Sequence, residues 1–331
     1  MAHGFRAPGD PPLRVGWRVV GERWSQRPST MCTGTIIDVG KSGTSLATEA
    51  RDPYVVVLGI AQDGGRPQTG CRRACCAGRV QLSPACLGIV DPIAGRRWII
   101  DATPDITRQL ALLDSVAGTE VGSLVLDGVI LTHAHMGHYT GLVHLGREAL
   151  AAPRLPVYAR PAMQEFLASN SPWRDLIAHG HIKPVEITDR LELSPSVSVT
   201  AVPVPHRDEL SDTVGFIVDG PTARILWLPD IDAWDIWDRD LLEMIASVDV
   251  AYIDGTFFDD GELERDMSLI PHPRIADTIA LVTDRAPDLA QRVRFIHLNH
   301  TNPALDTESA AHSRVTAAGM AVATEGERQV L

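Results

Sequence analysis

Three histidines within six residues constrain this chain more than any other feature. His133, His135 and His138 stand in the stretch THAHMGHYTGL, directly after an apolar run from Leu124 to Leu131. A run of this kind predicts a buried strand. Imidazoles at the mouth of a strand, on a short loop that contains glycine, can converge on one metal ion. The stretch therefore predicts a metal site.

The composition restricts the partners that this site can have. The formal net charge of −12 over 331 residues argues against nonspecific binding to nucleic acid or to an anionic membrane, but a small anionic substrate remains compatible with it. We find no run of about 18 apolar residues and no signal-peptide pattern, and five cysteines suit metal binding better than a disulfide framework. We expect a cytoplasmic protein that acts on a small molecule and could form a homodimer.

The chain divides into an extension and one domain. Residues 1–52 are rich in Pro, Gly, Arg and Ser with little periodicity, which predicts a poorly ordered extension before a domain at 53–331. Helical spacing predicts helices at 106–113, 142–150, 234–246 and 274–283. Six polar residues follow predicted strands, and such positions cluster at one edge of a layered α/β fold. They are Asp101, His133, His206, Asp230, Asp254 and His297.

The order of these residues resembles the metallo-β-lactamase superfamily. HxHxxH is followed by His206 in VPVPHRDE, Asp230 in LWLPDID and His297 in FIHLNH. The resemblance implies an α/β fold in the form of an αββα sandwich, with metal ions on one rim of its sheets. The segments GIAQDGGRPQTGC, DATPDITRQL, PVPHRDELSDTVGF, YIDGTFF and HLNHTNP resemble the pyrroloquinoline quinone biosynthesis protein B group. The layout also resembles the cyclic phosphodiesterase branch of phosphonate breakdown.

The resemblance implies two metal sites that share one carboxylate. His133, His135 and His206 would hold the first ion, while His138 and His297 would hold the second, with Asp230 bridging. Gly137 stands where the family pattern HxHxDH has an aspartate that binds the second ion and orients the attacking water. Glycine offers neither a ligand nor a base, so we expect one firm ion and a weaker second. Zinc, manganese and iron all suit such ligands.

A cysteine cluster forms a second candidate metal site. Cys71, Cys75 and Cys76, together with His300, resemble the structural zinc ligands of the phosphodiesterase branch. The spacing here is CxxxCC rather than CxCxxC, with Arg73 at the position of the middle cysteine. A zinc ion would fasten the loop after the first strand to the last strand, and the alternative is a set of free thiols.

The resemblance implies metal-dependent hydrolysis of a small-molecule ester, with a phosphodiester as the leading candidate. A divalent ion with an open position lowers the pKa of bound water to about 7. Asp230 and His272 are the candidate catalytic residues. His272, flanked by prolines, would contact substrate or act as a general acid, and the alternative is a solvated histidine in a loop. One alternative is iron-dependent oxygenation in cofactor biosynthesis, and another is a non-catalytic protein that binds a metal or a ligand.

Overall fold

Two seven-stranded sheets dominate the computed structural model, which describes residues 52–118 and 126–331. The predicted extension at 1–52 lies outside the described residues except for Asp52, and so does the start of the apolar run before His133. All the described residues belong to one compact unit.

The strands are named in chain order. The first seven are β1 (Tyr54–Gly59), β2 (Cys86–Asp91), β3 (Arg96–Ile100), β4 (Gly128–Ile130), β5 (Leu155–Ala159), β6 (Ile182–Glu186) and β7 (Arg190–Glu192). The others are β8 (Ser198–Pro203), β9 (Val214–Asp219), β10 (Arg224–Leu228), β11 (Val250–Asp254), β12 (Val293–Ile296), β13 (Ala321–Val322) and β14 (Arg328–Val330). One sheet has the order β14-β1-β2-β3-β4-β5-β6, and the other has the order β13-β12-β11-β10-β9-β8-β7.

Seven α-helices occur among the described residues. They are α1 (Ile106–Ala117), α2 (Met136–Tyr139), α3 (Pro161–Ser169), α4 (Trp173–Ala178), α5 (Leu241–Ala246), α6 (Ile275–Arg285) and α7 (Ala310–Ala317). Short 3-10 helices cover Thr140–Leu145, Met267–Leu269, Pro287–Arg292 and Pro303–Leu305.

Three hydrophobic cores separate four layers. Along β1, Val55 and Val57 enter the core between the two sheets, while Val56 and Leu58 enter the core under α1, α3 and α4. This alternation follows from the two-residue period of a strand. A third core lies between the second sheet and α5, α6 and α7. The layers confirm the predicted αββα sandwich.

The sheet topology explains why the polar residues meet. Strands β3 to β6 run parallel to one another, and so do β10 to β13. Asp101 follows β3, Asp230 follows β10, and His297 follows β12. The carboxyl ends of parallel strands lie at the same edge of a sheet, so these side chains reach one rim.

Of the predicted helices, the one at 142–150 is wrong, and the one at 234–246 is confirmed only over its second half. The chain after the histidine motif forms α2 and a 3-10 helix and then turns at Gly146, where a Cβ would lie 2.9 Å from the Leu176 side chain. The helix predicted at 234–246 begins only at α5, because the Asp240 side chain accepts hydrogen bonds from the N–H groups of Leu242 and Glu243 and caps its first turn. Within 52–118 and 126–331, no helix combines the length and the apolar character that crossing a membrane requires.

Candidate metal centre

Three histidine nitrogens converge in the first group of candidate ligands. His135 Nδ1 lies 3.0 Å from His133 Nε2 and 3.2 Å from His206 Nε2. His133 and His206 are buried, whereas His135 is half-buried. These are the residues that the sequence predicted for the first ion, and the fold brings all three together.

The second group adds a carboxylate that the sequence analysis did not include. Asp63 Oδ1 lies 3.2 Å from His138 Nε2 and 3.3 Å from His297 Nε2. Asp63 stands in the loop that follows β1. Its carboxylate thus lies beside the two histidines that were predicted for the second ion.

Asp230 lies between the two groups. Its Oδ2 is 3.0 Å from His138 Nε2 and 3.2 Å from His297 Nε2. The same oxygen is 3.8 Å from His133 Nε2, and Oδ1 is 3.6 Å from His206 Nε2. The position is the one that a bridging carboxylate would occupy.

Hydrogen bonds at Nδ1 hold four of the imidazoles in the same orientation, with Nε2 toward the centre. His138 donates from Nδ1 to Asp101 Oδ2 at 2.7 Å, and His206 donates from Nδ1 to Asp232 Oδ1 at 2.8 Å. His297 Nδ1 lies 3.0 Å from the hydroxyl of Thr256. That hydroxyl donates to Asp254, so it accepts from His297.

The fourth imidazole follows the same pattern. Thr132 Oγ1 lies 2.9 Å from His133 Nδ1 and donates to Asp101, so it accepts from His133. Because Nδ1 is engaged in this way, each of the four rings directs Nε2 toward the centre. Support of this kind at the far nitrogen is typical of histidines that bind metals.

Two buried atoms in the centre make no hydrogen bond of acceptable geometry. They are Nε2 of His138 and Oδ2 of Asp230, although they lie only 3.0 Å apart. Both side chains are almost completely inaccessible to solvent. A buried polar atom without a partner is costly, and a bound cation would satisfy both atoms. The nitrogen and carboxylate donors therefore fit divalent metal ions such as zinc, manganese or iron.

The electrostatics of the centre also favour a cation. Burial alone would raise the pKa of Asp63 and of Asp230, but attraction to the neighbouring histidines holds both well below the usual range. Burial likewise opposes protonation of His138, yet Asp101 and the other carboxylates raise its pKa well above the ordinary value. Burial lowers the pKa of His133 well below normal, which keeps this imidazole neutral. The carboxylates of Asp63 and Asp230 are thus held in the charged form at the centre, where they would attract a cation.

Sequence reasoning missed Asp63 because it searched for the second carboxylate inside the histidine motif. A Cβ built on Gly137 would lie 2.5 Å from both Cα and Cγ of Asp63. The loop after β1 therefore occupies the space that a side chain at position 137 would need. A signal was present, since Asp63 follows a predicted strand as closely as the other candidates do.

His272 lies at the same centre. It donates from Nδ1 to Asp254 Oδ2 at 2.7 Å, and Nδ1 lies 3.7 Å from Asp230 Oδ1. Burial opposes its protonation, but Asp254 raises its pKa above the usual value. A cavity of about 240 Å³ is lined by His272, His135, His206, Asp230 and Arg207 among others. The second predicted catalytic residue thus faces the same space as the candidate metal ligands.

Unusual backbone conformations concentrate around the centre. Among the described residues, six non-glycine residues have a positive φ, and four of them line or support the site. These are Asp101 (71°), Arg207 (32°), His272 (118°) and His297 (61°). Such conformations cost about 1–3 kcal/mol each and are enriched at functional sites.

The predicted cysteine cluster also assembles. His300 Nδ1 lies 3.5 Å from Cys75 Sγ and 3.3 Å from Cys76 Sγ, and Cys71 Sγ lies 3.7 Å from Cys75 Sγ. Hydrogen bonding from the backbone of Arg73 lowers the pKa of Cys71, whereas burial raises the pKa of Cys75 to about 11. Three thiols and one imidazole within reach of one point fit a tetrahedral zinc site. Cys86 lies apart, buried beside Asp101.

Known proteins are similar to this chain over more than four fifths of its length. Coenzyme PQQ synthesis protein B of Klebsiella pneumoniae is 28% identical over 313 aligned residues, which cover 82% of this chain and 96% of the relative. The relative of the same name from Pseudomonas fluorescens (strain Pf0-1) is 28% identical and covers 84% of this chain and 100% of its own length.

Solved structures agree with the sheet arrangement. Zinc-bound PqqB from Methylobacterium extorquens has a TM-score of 0.68 at 25% identity and covers 84% of this chain and 100% of its own. A diphosphatase of the PhnP family has a TM-score of 0.59 at 19% identity, covering 84% and 97% of the two chains, and shows the shared fold.

A family model described as a beta-lactamase superfamily domain matches residues 96–298. That range includes the histidine motif, His206, Asp230, His272 and His297, and it covers more than half of the chain. The chain therefore belongs to the beta-lactamase superfamily.

Proposed function

We propose that the chain is a metal-dependent hydrolase of a small-molecule ester, with a phosphodiester as the leading substrate class. One observation carries the proposal. Two groups of candidate ligands share Asp230 beside one cavity of about 240 Å³, which Arg207 and His272 also line. When bound, a pair of divalent ions at such a centre supplies an activated water and neutralises charge on the attacking and leaving oxygens.

The residues of the chain have separate tasks in this proposal. His133, His135 and His206 would hold the first ion, His138 and His297 would hold the second, and Asp230 would contact both. The four imidazoles held at Nδ1 would bind through Nε2, and His135 would bind through Nδ1, which lies beside Nε2 of His133 and of His206. Thr132, Asp101, Asp232 and Thr256 hold the rings in orientation.

Arg207 and His272 act on the substrate. The guanidinium of Arg207 is half-exposed and pairs with Glu209 through Nε at 2.9 Å, and its remaining N–H groups would bind the anionic oxygens of an ester in the cavity. His272 keeps its Nδ1 on Asp254, which leaves Nε2 to contact the leaving oxygen and donate a proton to it. These contacts favour a phosphodiester over a neutral ester.

The test uses the full chain after reconstitution with zinc, manganese or iron. We expect hydrolysis of bis-p-nitrophenyl phosphate or of a 2′,3′-cyclic nucleotide, and we expect His135→Ala to abolish it. His179→Ala is the matched control, because this exposed histidine belongs to neither ligand group. Failure of the wild type to turn over any ester with any of the three metals would overturn the proposal.

A second candidate function is a role in the biosynthesis of pyrroloquinoline quinone or a related cofactor. The similarity to PQQ synthesis proteins over 82% of the chain favours it. Here the same centre would hold iron and support oxygenation of a small precursor. The expected observation is a product that requires both Fe(II) and O₂, whereas failure to take up iron under anaerobic reconstitution would contradict it.

We also propose a structural zinc ion at Cys71, Cys75, Cys76 and His300. Arg79, which is in the same segment, forms an ion pair with Asp306 at 3.0 Å, so protein contacts already fasten this loop to the region after β12. Zinc would add a tetrahedral link between the same two segments.

A further inference from the structure

The loop after β1 places a carboxylate where the histidine motif lacks one. The motif carries Gly137 at the position of the family aspartate, and a Cβ there would lie 2.5 Å from Cα of Asp63. The backbone as well as the side chain of Asp63 thus fills that space. Glycine at position 137 is the residue that allows the loop to approach so closely.

Contacts of the Asp63 carboxylate point into the second ligand group. Its Oδ1 lies 3.2 Å from His138 Nε2 and 3.3 Å from His297 Nε2. The side chain is about one third exposed, so it borders both the buried histidines and the open cavity. A carboxylate with this placement can bind an ion and still leave room for water or substrate.

An independent observation comes from His138. Its Nε2 is buried and makes no hydrogen bond of acceptable geometry, although it lies close to Asp63 and Asp230. Its Nδ1 proton is already donated to Asp101. Nε2 therefore faces two carboxylates at 3.2 and 3.0 Å, an arrangement that a cation bound between them would stabilise.

We propose that Asp63 is the carboxylate ligand specific to the second ion, together with His138, His297 and the bridging Asp230. In this chain the carboxylate comes from the loop after β1, and not from inside the histidine motif. The second site then has four side-chain ligands. This inference rests on the two-ion centre of the proposed function, and it assigns to that centre a residue that the family pattern does not supply.

Backbone pairing explains how this loop is positioned. Gln62 donates from its N–H to the carbonyl of Leu298 at 2.9 Å, and Leu298 donates to the carbonyl of Ile60 at 2.8 Å. Asp63 and His297 are each adjacent to one of these paired residues. The same short ladder thus brings the carboxylate and the imidazole to the same point.

The experiment measures metal bound per chain after reconstitution with zinc and removal of excess ions. Asp63→Asn keeps the shape of the side chain but removes its charge. We expect one ion to bind at least about 10-fold more weakly, because even loss of a residue that only supports a ligand costs about 10- to 100-fold in affinity. The other ion and the cysteine zinc remain. Asp105→Asn is the matched control, because Asp105 lines the neighbouring cavity with Asp63 but belongs to no ligand group. Equal zinc content and affinity in Asp63→Asn and the wild type would overturn the proposal.

A second variant protects the test against a folding defect. Gly137→Ala changes none of the candidate ligand residues, but its Cβ would push the Asp63 backbone away. We expect this variant to bind the same ion more weakly. Manganese reconstitution gives a spectroscopic measure, since two neighbouring Mn²⁺ ions produce a coupled electron paramagnetic resonance signal. We expect that signal in the wild type and only isolated Mn²⁺ in both variants; a coupled signal in both would contradict the assignment.

The outcomes separate this inference from the proposed function. If the wild type binds both ions but hydrolyses no ester, the hydrolase proposal fails while the loss of one ion in Asp63→Asn still supports the ligand. If Asp63→Asn binds both ions as the wild type does, the ligand assignment fails whatever the activity.

Discussion

Asp101 accepts a hydrogen bond from Nδ1 of His138 at 2.7 Å, and both side chains are fully buried. The carboxylate also accepts from the backbone N–H and the hydroxyl of Thr132. This contact fixes the ring of one candidate ligand of the second ion. We expect Asp101→Asn to weaken binding of that ion by about 10- to 100-fold, measured by zinc titration. Unchanged affinity in a folded variant would contradict the orienting role.

Asp232 has the equivalent relationship to the other ion. It accepts from Nδ1 of His206 at 2.8 Å. We expect Asp232→Asn to lower the affinity for the first ion by about 10- to 100-fold and to leave the affinity for the second ion near the wild-type value. The pair of variants serves as a mutual control, because each should affect a different ion. An identical effect of both on the same ion would count against the division into two groups.

The cysteine cluster and the second ion depend on the same two segments. Residues 62–76 carry Asp63 and the three cysteines, and residues 297–300 carry His297 and His300. We expect Cys75→Ser/Cys76→Ser to lose the structural zinc. Because zinc would link the two segments, we also expect this variant to bind the second ion more weakly. Zinc content and thermal unfolding measure both effects. Cys86→Ser is the control, since Cys86 lies outside the cluster. Loss of the structural zinc with no change at the second ion would show that the two sites are independent.

The role of His272 predicts a dependence on the leaving group. For a phosphodiester with an alkyl leaving group, we expect His272→Ala to lower kcat by about 10²- to 10⁴-fold, because the departing oxygen needs a proton. For bis-p-nitrophenyl phosphate the loss should be much smaller, since p-nitrophenolate leaves without protonation. Metal content should match the wild type. Equal losses for both substrates would contradict a proton-donating role.

We expect the buried carboxylate of Asp91 to stabilise the fold in a pH-dependent way. It is buried at the end of β2 and accepts hydrogen bonds at 2.6 Å from the hydroxyls of Ser194 and Ser196, which precede β8. Burial alone would raise its pKa, but these bonds lower the pKa below the usual value of an aspartate. The stability that these bonds contribute is therefore fully present above the pKa of Asp91 in the unfolded chain and is lost as the pH falls through the lower folded pKa.

The variant Asp91→Asn tests this contribution. We expect it to lower the free energy of unfolding at pH 7 by about 1–3 kcal/mol. The difference from the wild type should shrink as the pH falls below about 3.8. Denaturant unfolding at several pH values measures this. A difference that does not change with pH would contradict the assigned contribution.

The sequence predicted those parts of the centre that a short motif or a strand end marks. His133, His135 and His138 share one loop, and His206, Asp230 and His297 follow predicted strands. Asp63 was missed because its partner in space, Gly137, is 74 positions away along the chain. Only the folded structure shows that the absence of a side chain at one position makes room for a carboxylate from another.

The edges of the two sheets were also harder to predict than their centres. Strands β6 and β7 carry proline or charged residues and are largely exposed, so they lack the apolar run that marks a central strand. Strand β13 has two residues and β14 has three, which is too short for periodicity to be recognised. Central strands such as β1 and β12 were predicted because their apolar residues are buried on both faces.

Metal content per chain distinguishes a two-ion centre from a chance gathering of histidines. The measurement compares the wild type with His133→Ala/His135→Ala, both reconstituted with zinc and freed of excess ions. We expect the wild type to hold two ions at the histidine centre and a third at the cysteine cluster, and the double variant to keep the cysteine zinc and lose at least one of the others. Equal zinc content in the two proteins would contradict the metal centre.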